Sequence, residues 1–237
     1  MNFALDVVEK APPNQLALIA LGRDGSRSEI TFAEVADRAA RLAGTLTHRG
    51  VGRGDVVMTV VGNRPEWVYG MVACFRLGAV ALPCTEQLRP KDLGERMRRV
   101  EPRAVLVDER DLATVEATGF DGELMVIPDE RLFDSDPHPP AELSPTDPAL
   151  ITFTSGTSGE PKPIRHGQRY LAGQHVQAEH WFGARPGDLC WCTAASGWSK
   201  SARNVFIAPW VRGATALLQD ARFDPGERLA TVEREGV

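Results

Sequence analysis

The feature that most constrains the fold is a regular alternation of short apolar segments with helix-like segments between residues 55 and 127. The apolar segments lie at residues 55–62, 79–82, 104–107 and 124–127. They are separated by segments whose apolar side chains have helical spacing, at residues 65–77, 90–100 and 111–117. This alternation is typical of parallel strands covered by helices on both faces. The sequence therefore predicts an α/β protein with layered parallel sheets flanked by helices.

The segment before this alternation predicts a hairpin followed by a helix. Residues 16–21 and 29–31 are strand-like and are separated by a polar, glycine-containing turn. Thr31 and Glu34 then form the T-x-x-E pattern of a capping box, in which each side chain satisfies a backbone N–H of the first helical turn. We expect the helix that begins there to run to about His48.

Residues 133–148 interrupt the pattern with five prolines and almost no apolar periodicity. We expect an exposed connector there, between a sub-lobe at about 52–132 and a second one at 149–237, within one domain over 1–237. The alternation then resumes, with strands expected at 149–154, 188–193 and 214–218 and helices at 167–182, 200–210 and 225–235.

Charge and cysteine usage exclude several classes of function. The 237-residue chain has a net charge of −5, whereas a nucleic-acid-binding surface usually leaves a basic balance, so we expect no nucleic-acid partner. No segment approaches the roughly 20 apolar residues of a membrane span. The four cysteines complete no zinc pattern, so we expect no metal site, buried free thiols and a cytoplasmic location.

The segment that indicates chemistry follows the expected strand at 149–154. Its small residues allow the backbone to bend and to present successive N–H groups to an anion, and its hydroxyls add further donors. Lys162 contributes a mobile positive charge, and charge-assisted hydrogen bonds to phosphate are about twice as strong as neutral ones. The predicted phosphate-binding residues are Thr154, Ser155, Gly156, Thr157, Ser158, Gly159 and Lys162.

Two other kinds of loop have a similar composition. It is not a Walker loop, because Gly159 is followed by Glu160 and Pro161 where that motif requires Gly-Lys-Ser/Thr. A solvated turn is the structural alternative, since loops of serine, threonine and glycine often follow strands.

The complete string T-S-G-T-S-G-x-P-K resembles the phosphate-binding loop of the adenylate-forming superfamily. This superfamily includes acyl- and aryl-CoA synthetases, peptide-synthetase adenylation domains and firefly-type luciferases. His166 matches the histidine that ends the family's loop, whereas Pro163 stands where the family usually has glycine. The opening hairpin and residues 56–93 are also similar to the family, so the resemblance spans nearly all of the chain.

A second informative segment, T-A-A-S-G-W-S-K, follows the expected strand at 188–193. A similar strand in acetyl- and medium-chain acyl-CoA synthetases ends in a Gly-Trp turn whose tryptophan helps to wall the acyl pocket. By that resemblance Ser196, Gly197 and Trp198 are the predicted substrate-pocket residues. The alternative is that Trp198 only packs beneath the phosphate loop.

The resemblance implies ATP-dependent activation of a small carboxylic acid to an acyl-adenylate, followed by transfer to coenzyme A. Mg²⁺ would accompany ATP, and Lys162 would act on the phosphates as the catalytic residue. A non-catalytic remnant or interaction module that keeps a phosphate-binding loop is the alternative function, and a generic kinase or NTPase is disfavoured by the missing Walker context.

The family's aromatic-Gly-x-Thr-Glu motif, ribose-binding aspartate and C-terminal lysine domain have no counterpart in this sequence. We therefore expect the chain to represent the N-terminal part of the large adenylate-forming domain and to be inactive alone. The open second layer would expose apolar surface, which suggests a homodimer.

Overall fold

The computed structural model describes residues 1–154 and 161–237. Its strands are β1 (Leu16–Leu21), β2 (Arg27–Thr31), β3 (Val56–Val60), β4 (Val80–Cys84), β5 (Ala104–Asp108), β6 (Glu123–Ile127), β7 (Pro148–Thr154), β8 (Lys162–Gly167), β9 (Leu189–Trp191) and β10 (Thr215–Gln219). Its helices are α1 (Phe32–His48), α2 (Pro65–Leu77), α3 (Pro90–Val100), α4 (Leu112–Glu116), α5 (Gln168–Gln177), α6 (Ala208–Val211) and α7 (Pro225–Glu235). The α/β fold class predicted from the alternating segments is confirmed.

The larger sheet contains six strands in the order β6-β5-β3-β4-β7-β8. All neighbouring strands are parallel except β7 and β8, which are antiparallel. Every residue of β3, β4 and β5 is buried, because helices cover both faces of a parallel sheet. This is why those strands are continuous apolar runs in the sequence.

The smaller sheet has the order β2-β1-β10-β9, with β1 and β2 forming the predicted antiparallel hairpin. β10 lies parallel to both β1 and β9, so Leu18 near the start of the chain is the register partner of Ala216. The chain thus closes this sheet with strands that are almost 200 residues apart in the sequence.

The two sheets share one core. Helices α1 and α2 pack between them, since a single buried cluster joins residues of both helices to the inner faces of both sheets. Within it Trp67 meets Phe206 edge to face at 5.7 Å, and Phe206 lies 5.0 Å from Trp210. A separate cluster fills the other face of the six-stranded sheet beneath α3 and α4.

The capping box of α1 is confirmed in detail. The Glu34 N–H donates to Thr31 Oγ1 at 3.2 Å, and the Thr31 N–H donates to the Glu34 carboxylate at 2.7 Å. The helix ends at His48, as its sequence indicated.

The proline-rich segment 133–148 does not separate the two sheets. It crosses α1 and α2, where the N–H of His138 donates to Ala40 O and that of Ala141 donates to Arg76 O. β7, which follows it, then joins the six-stranded sheet beside β4, while β9 and β10 join the other sheet. Strands of the two sheets therefore alternate along the chain. The edge of a sheet has unpaired N–H and C=O groups, so it can pair with a segment that is distant in the sequence.

Strand β8 corrects the predicted course of the phosphate-loop region. We expected a loop leading directly to a helix at 167, whereas Lys162–Gly167 pairs with β7 and α5 begins at Gln168. β8 lies at the sheet edge and is largely exposed, so it lacks the apolar alternation by which strands are recognised.

Candidate functional site

The two arms of the predicted phosphate loop are adjacent strands. Thr154 ends β7 and Lys162 begins β8, and the two residues are register partners in the antiparallel pair. Both are exposed, so the Thr154 hydroxyl and the Lys162 ammonium are open to a ligand at this edge. The other predicted loop residues, Ser155, Gly156, Thr157, Ser158 and Gly159, lie outside the described residues.

His166 connects the two arms to the helix that follows. Its Nε2 lies 3.1 Å from Thr152 Oγ1 on β7, and its ring stacks on Tyr170 of α5 with centroids 4.2 Å apart. Burial, with a smaller contribution from the positive charge of Arg203, lowers the pKa of His166. The ring is therefore neutral at neutral pH, where one nitrogen donates and the other accepts.

The predicted substrate-pocket residues lie in a segment that we call the pocket loop, residues 193–198. It follows β9 of the smaller sheet but rests on the larger one. Ser196 is only 1% exposed, and its hydroxyl donates to the carbonyl of Val61, directly after β3. Asn63 Nδ2 donates to Ala194 O at 3.1 Å.

Gly197 makes the closest approach between the pocket loop and the larger sheet. A Cβ built there would lie 1.8 Å from the backbone N of Thr85 and 2.2 Å from the carbonyl carbon of Cys84. Only glycine fits where two backbones approach in this way.

Trp198 follows with 58% of its surface exposed and lines a cavity of about 780 Å³. The cavity, which we call the carboxyl-end cavity, is bounded by the ends of β3, β4, β5, β9 and β10. In parallel α/β sheets, ligands bind in the crevice outside the carboxyl ends of the strands. Ser196 also lines it, so the structure brings these two predicted pocket residues together. The alternative of Trp198 as a packing residue is disfavoured by its exposure.

A network of ion pairs that the sequence did not predict borders this cavity through Arg23, Arg110 and Asp220. Asp108, fully buried at the end of β5, accepts from Arg64 at 2.9 Å and from Arg110 at 2.8 Å. Asp220, after β10, pairs with Arg110 at 3.0 Å and with Arg23 at 3.2 Å. The network thus joins the two sheets. Its sequence signal is charge placed directly after apolar strands.

Ionisation inside this network follows from its contacts. Burial opposes the charge of Asp108, but the hydrogen bonds and positive charge of Arg110, with the charge of Arg64, keep its pKa lowered. The pKa of Asp111 is shifted in the opposite direction. Burial, with the negative charges of Glu86 and Asp108, raises its pKa to about 6.

Among residues 1–154 and 161–237, no group of three or more His, Cys, Asp or Glu side chains could hold a metal ion. In the same residues no helix is both long and apolar enough to cross a bilayer. The cysteines described are free; Cys74 and Cys84 are buried, whereas Cys190 and Cys192 are only half-buried.

A cavity bordered by the carboxyl ends of parallel strands is the place where α/β proteins bind their ligands. The chain belongs to the AMP-binding enzyme family, whose model matches residues 5–237. The mitochondrial acyl-coenzyme A synthetase ACSM3 of Homo sapiens is 29% identical over 98% of this chain and 44% of its own length. An acetyl-coenzyme A synthetase of Bradyrhizobium diazoefficiens is 29% identical over 86% of this chain and 37% of its own.

Solved structures show the same fold. The acyl-CoA synthetase of Brucella canis superposes with a TM-score of 0.90 at 24% identity, over 100% of this chain and 46% of its own. The anthranilate CoA ligase AuaEII, solved with anthranoyl-AMP, gives 0.88 at 23% identity, over 98% of this chain and 48% of its own. The chain therefore spans less than half the length of the relatives it matches.

Proposed function

We propose that this chain belongs to an acyl-CoA synthetase, in which a carboxylic acid reacts with ATP to give an acyl-adenylate and pyrophosphate, and coenzyme A then displaces AMP. The observation that carries the proposal is the cross-strand pairing of Thr154 with Lys162 in a member of the AMP-binding family. Because the chain covers 44% of the human relative, the activity proposed is that of the complete protein.

In the first half-reaction, the proposed role of the loop is to bind the phosphates of ATP. The Lys162 ammonium would neutralise charge that develops on the departing pyrophosphate, and the Thr154 hydroxyl would donate a hydrogen bond. Preorganised donors of this kind are the largest source of rate enhancement in many enzymes. We propose that Mg²⁺ enters as a complex with ATP, because Mg²⁺ is commonly bound through substrate phosphates and waters.

The proposed site for the acid is the carboxyl-end cavity, with the exposed Trp198 indole as one wall. Its volume of about 780 Å³ lies within the range of small-molecule sites, so the cavity could hold an acyl group together with part of a second substrate. A flat indole suits a short aliphatic or an aromatic acid. The particular acid is therefore a question for a substrate panel.

The thiol step is supported by arginines in the same cavity. Arg222 and Arg228 line it and form no ion pair with a carboxylate in the described part of the chain. Burial lowers the pKa of Arg228, a cost that an anionic ligand would offset. Coenzyme A carries phosphates, and the planar guanidinium pairs well with phosphate oxygens. Lys200, which is exposed and lies two residues after Trp198 in the sequence, is a further candidate contact.

We also propose a cytoplasmic, homodimeric protein. Free cysteines support a reducing compartment, and the exposed Trp181 and Val176 could contribute to contacts between copies. The relatives ACSM3 and ACSM4 are named as mitochondrial, so fractionation of cells that make the complete protein tests its location.

The deciding experiment is carboxylate-dependent exchange of labelled pyrophosphate into ATP, measured with short, medium and aromatic acids. Exchange with the complete protein but not with residues 1–237 alone would support both the function and the expected inactivity of this portion. Hydrolysis of ATP without any acid would indicate an NTPase instead. Nucleotide binding without exchange or hydrolysis would indicate a non-catalytic module.

A further inference from the structure

The pocket loop belongs to one sheet by connection and to the other by contact. It leaves β9 of the four-stranded sheet, yet the contacts that hold it come from the ends of β3 and β4 in the six-stranded sheet. The wall of the carboxyl-end cavity is therefore positioned by residues outside the segment that supplies Trp198.

Asn63 is the side chain best placed to control this loop from the larger sheet. Its Nδ2 donates to the carbonyl of Ala194 at 3.1 Å, three residues before Gly197 and four before Trp198. Asn63 lines the carboxyl-end cavity and also the adjoining cavity of about 450 Å³. It therefore stands between the two spaces, with its amide anchored to the loop.

The backbone that carries Asn63 is itself held firmly. The next residue, Arg64, pairs with the buried Asp108 at 2.9 Å and with Glu66 at 2.9 Å. The Arg64 N–H donates to Gly62 O at 2.8 Å, which closes a tight turn around Asn63. Asn63 therefore cannot follow the pocket loop if the loop moves away from the sheet. Such a movement must break the hydrogen bond between Asn63 Nδ2 and Ala194 O.

Backbone hydrogen bonds of the pocket loop hold Trp198 in turn. The Trp198 N–H donates to Ala195 O at 3.1 Å, and the Trp198 carbonyl accepts from the Ser201 N–H at 2.8 Å. The backbone of Trp198 is thus bonded on both sides while its indole remains exposed to the cavity. Its position follows that of residues 194–196.

We propose that Asn63 is a positioning residue that sets the acyl selectivity of the cavity by holding the pocket loop, and hence Trp198, against the six-stranded sheet. This proposal rests on the proposed acyl-CoA synthetase function. None of the described contacts gives Asn63 a role in binding the phosphates of ATP.

The test uses Asn63→Asp in the complete protein, because aspartate keeps the size of asparagine but replaces the Nδ2 donor with an oxygen that repels Ala194 O. We expect the ratio of kcat/KM for bulky acids to that for short acids to change on the order of 2–10-fold, the range for one hydrogen bond. The KM for ATP should stay within about twofold. Gln87→Glu is the matched control, since Gln87 lines the same cavity and gains the same charge without losing a contact to the loop.

A double substitution separates positioning from a direct effect of charge. If Asn63 acts through Trp198, then Asn63→Asp should leave selectivity unchanged in a Trp198→Ala background. An undiminished effect in that background, or an equal effect of Gln87→Glu, would overturn the proposal.

Amide hydrogen exchange gives a readout that does not require activity. Asn63→Asp should speed exchange at the Trp198 and Ser201 amides, whereas Gln87→Glu should not. Unchanged exchange at both amides would overturn the positioning role even in an active enzyme. Faster exchange in a protein that activates no acid would leave the positioning intact and contradict the proposed function instead.

Discussion

Thr154 and Lys162 face each other across β7 and β8 as register partners, with residues 155–161 between them in the sequence. The pairing brings a hydroxyl and an ammonium to the two ends of one hairpin connection. This arrangement leads to the first prediction.

Replacing Lys162 with alanine should slow adenylation on the order of 10–1000-fold, the range for removing one charge-stabilising donor. Acid binding should change much less, because Lys162 is not among the described residues that line the carboxyl-end cavity. Pyrophosphate exchange at saturating acid is the measurement. Arg165→Ala removes another exposed cation of β8 and should be nearly silent. An unchanged exchange rate for Lys162→Ala would contradict the proposed role of Lys162 in binding the phosphates of ATP.

Trp198→Ala should shift acid preference toward bulkier chains and leave the apparent affinity for ATP nearly unchanged. The physical reason is that the indole walls the cavity and is 58% exposed, so its removal widens the cavity with little loss of packing. Steady-state kinetics over an acid series tests this. Trp181→Ala, which removes an exposed indole elsewhere, should not change preference. Equal losses for all acids, or unfolding, would instead favour a packing role for Trp198.

Gly197→Ala should lower the free energy of unfolding by about 3 kcal/mol, because its methyl group meets the backbone of Thr85 and the pocket loop must shift. Thermal or urea unfolding measures the loss. Gly173 in α5 has no atom within 4 Å of an added Cβ, so Gly173→Ala should be neutral or stabilise by up to about 1 kcal/mol. Comparable destabilisation by both substitutions would contradict the close approach.

His166 should make stability fall as pH decreases. Burial and then Arg203 lower its folded pKa, so between the unfolded value of about 6.5 and the folded value the unfolded chain binds more protons. Stability contributed by neutral His166 is present above pH 6.5 and is lost as pH falls through this window. We expect His166→Gln to flatten that part of the curve and Arg203→Met to raise the His166 pKa in an NMR titration. A His166 pKa at or above 6.5 would contradict the assignment.

Asp111 should make stability change with pH in the opposite direction to His166. Its folded pKa of about 6 lies above the unfolded value, so the folded chain binds the proton more tightly and stability falls as pH rises from about 4 to 6. Asp111→Asn should therefore stabilise the protein by about 1 kcal/mol at pH 7.5, after allowance for solvent screening, and by almost nothing near pH 4. Unfolding curves at both pH values test this. Asp121→Asn, at an exposed position between α4 and β6, should change neither curve.

Much of the local structure was predictable from the sequence. The helices at 65–77, 90–100 and 225–235 have the bounds expected from their terminal prolines and apolar spacing. β8 was missed because it is held by pairing with β7 and is largely exposed, so it has no apolar face to recognise. The candidate site divides in the same way. Ser196 and Trp198 were found from a motif, whereas Asn63, Asp108 and Asp220 were not, since only their spatial neighbours distinguish them from ordinary charged and polar residues.

The sequence by itself determined most of the secondary elements, the capping box of α1, the α/β class and the family-like loop motif, because hydrophobic period, caps and turns depend on residues near one another. The tertiary structure decided which strands pair. β10 lies beside β1, β7 joins the sheet of β3 to β6, and Ser196 reaches the carbonyl of Val61. Such choices depend on contacts between residues far apart in the sequence, from 69 positions for Ala81 and Leu150 to 198 for Leu18 and Ala216. Local periodicity shows that a surface must be buried but not which partner covers it.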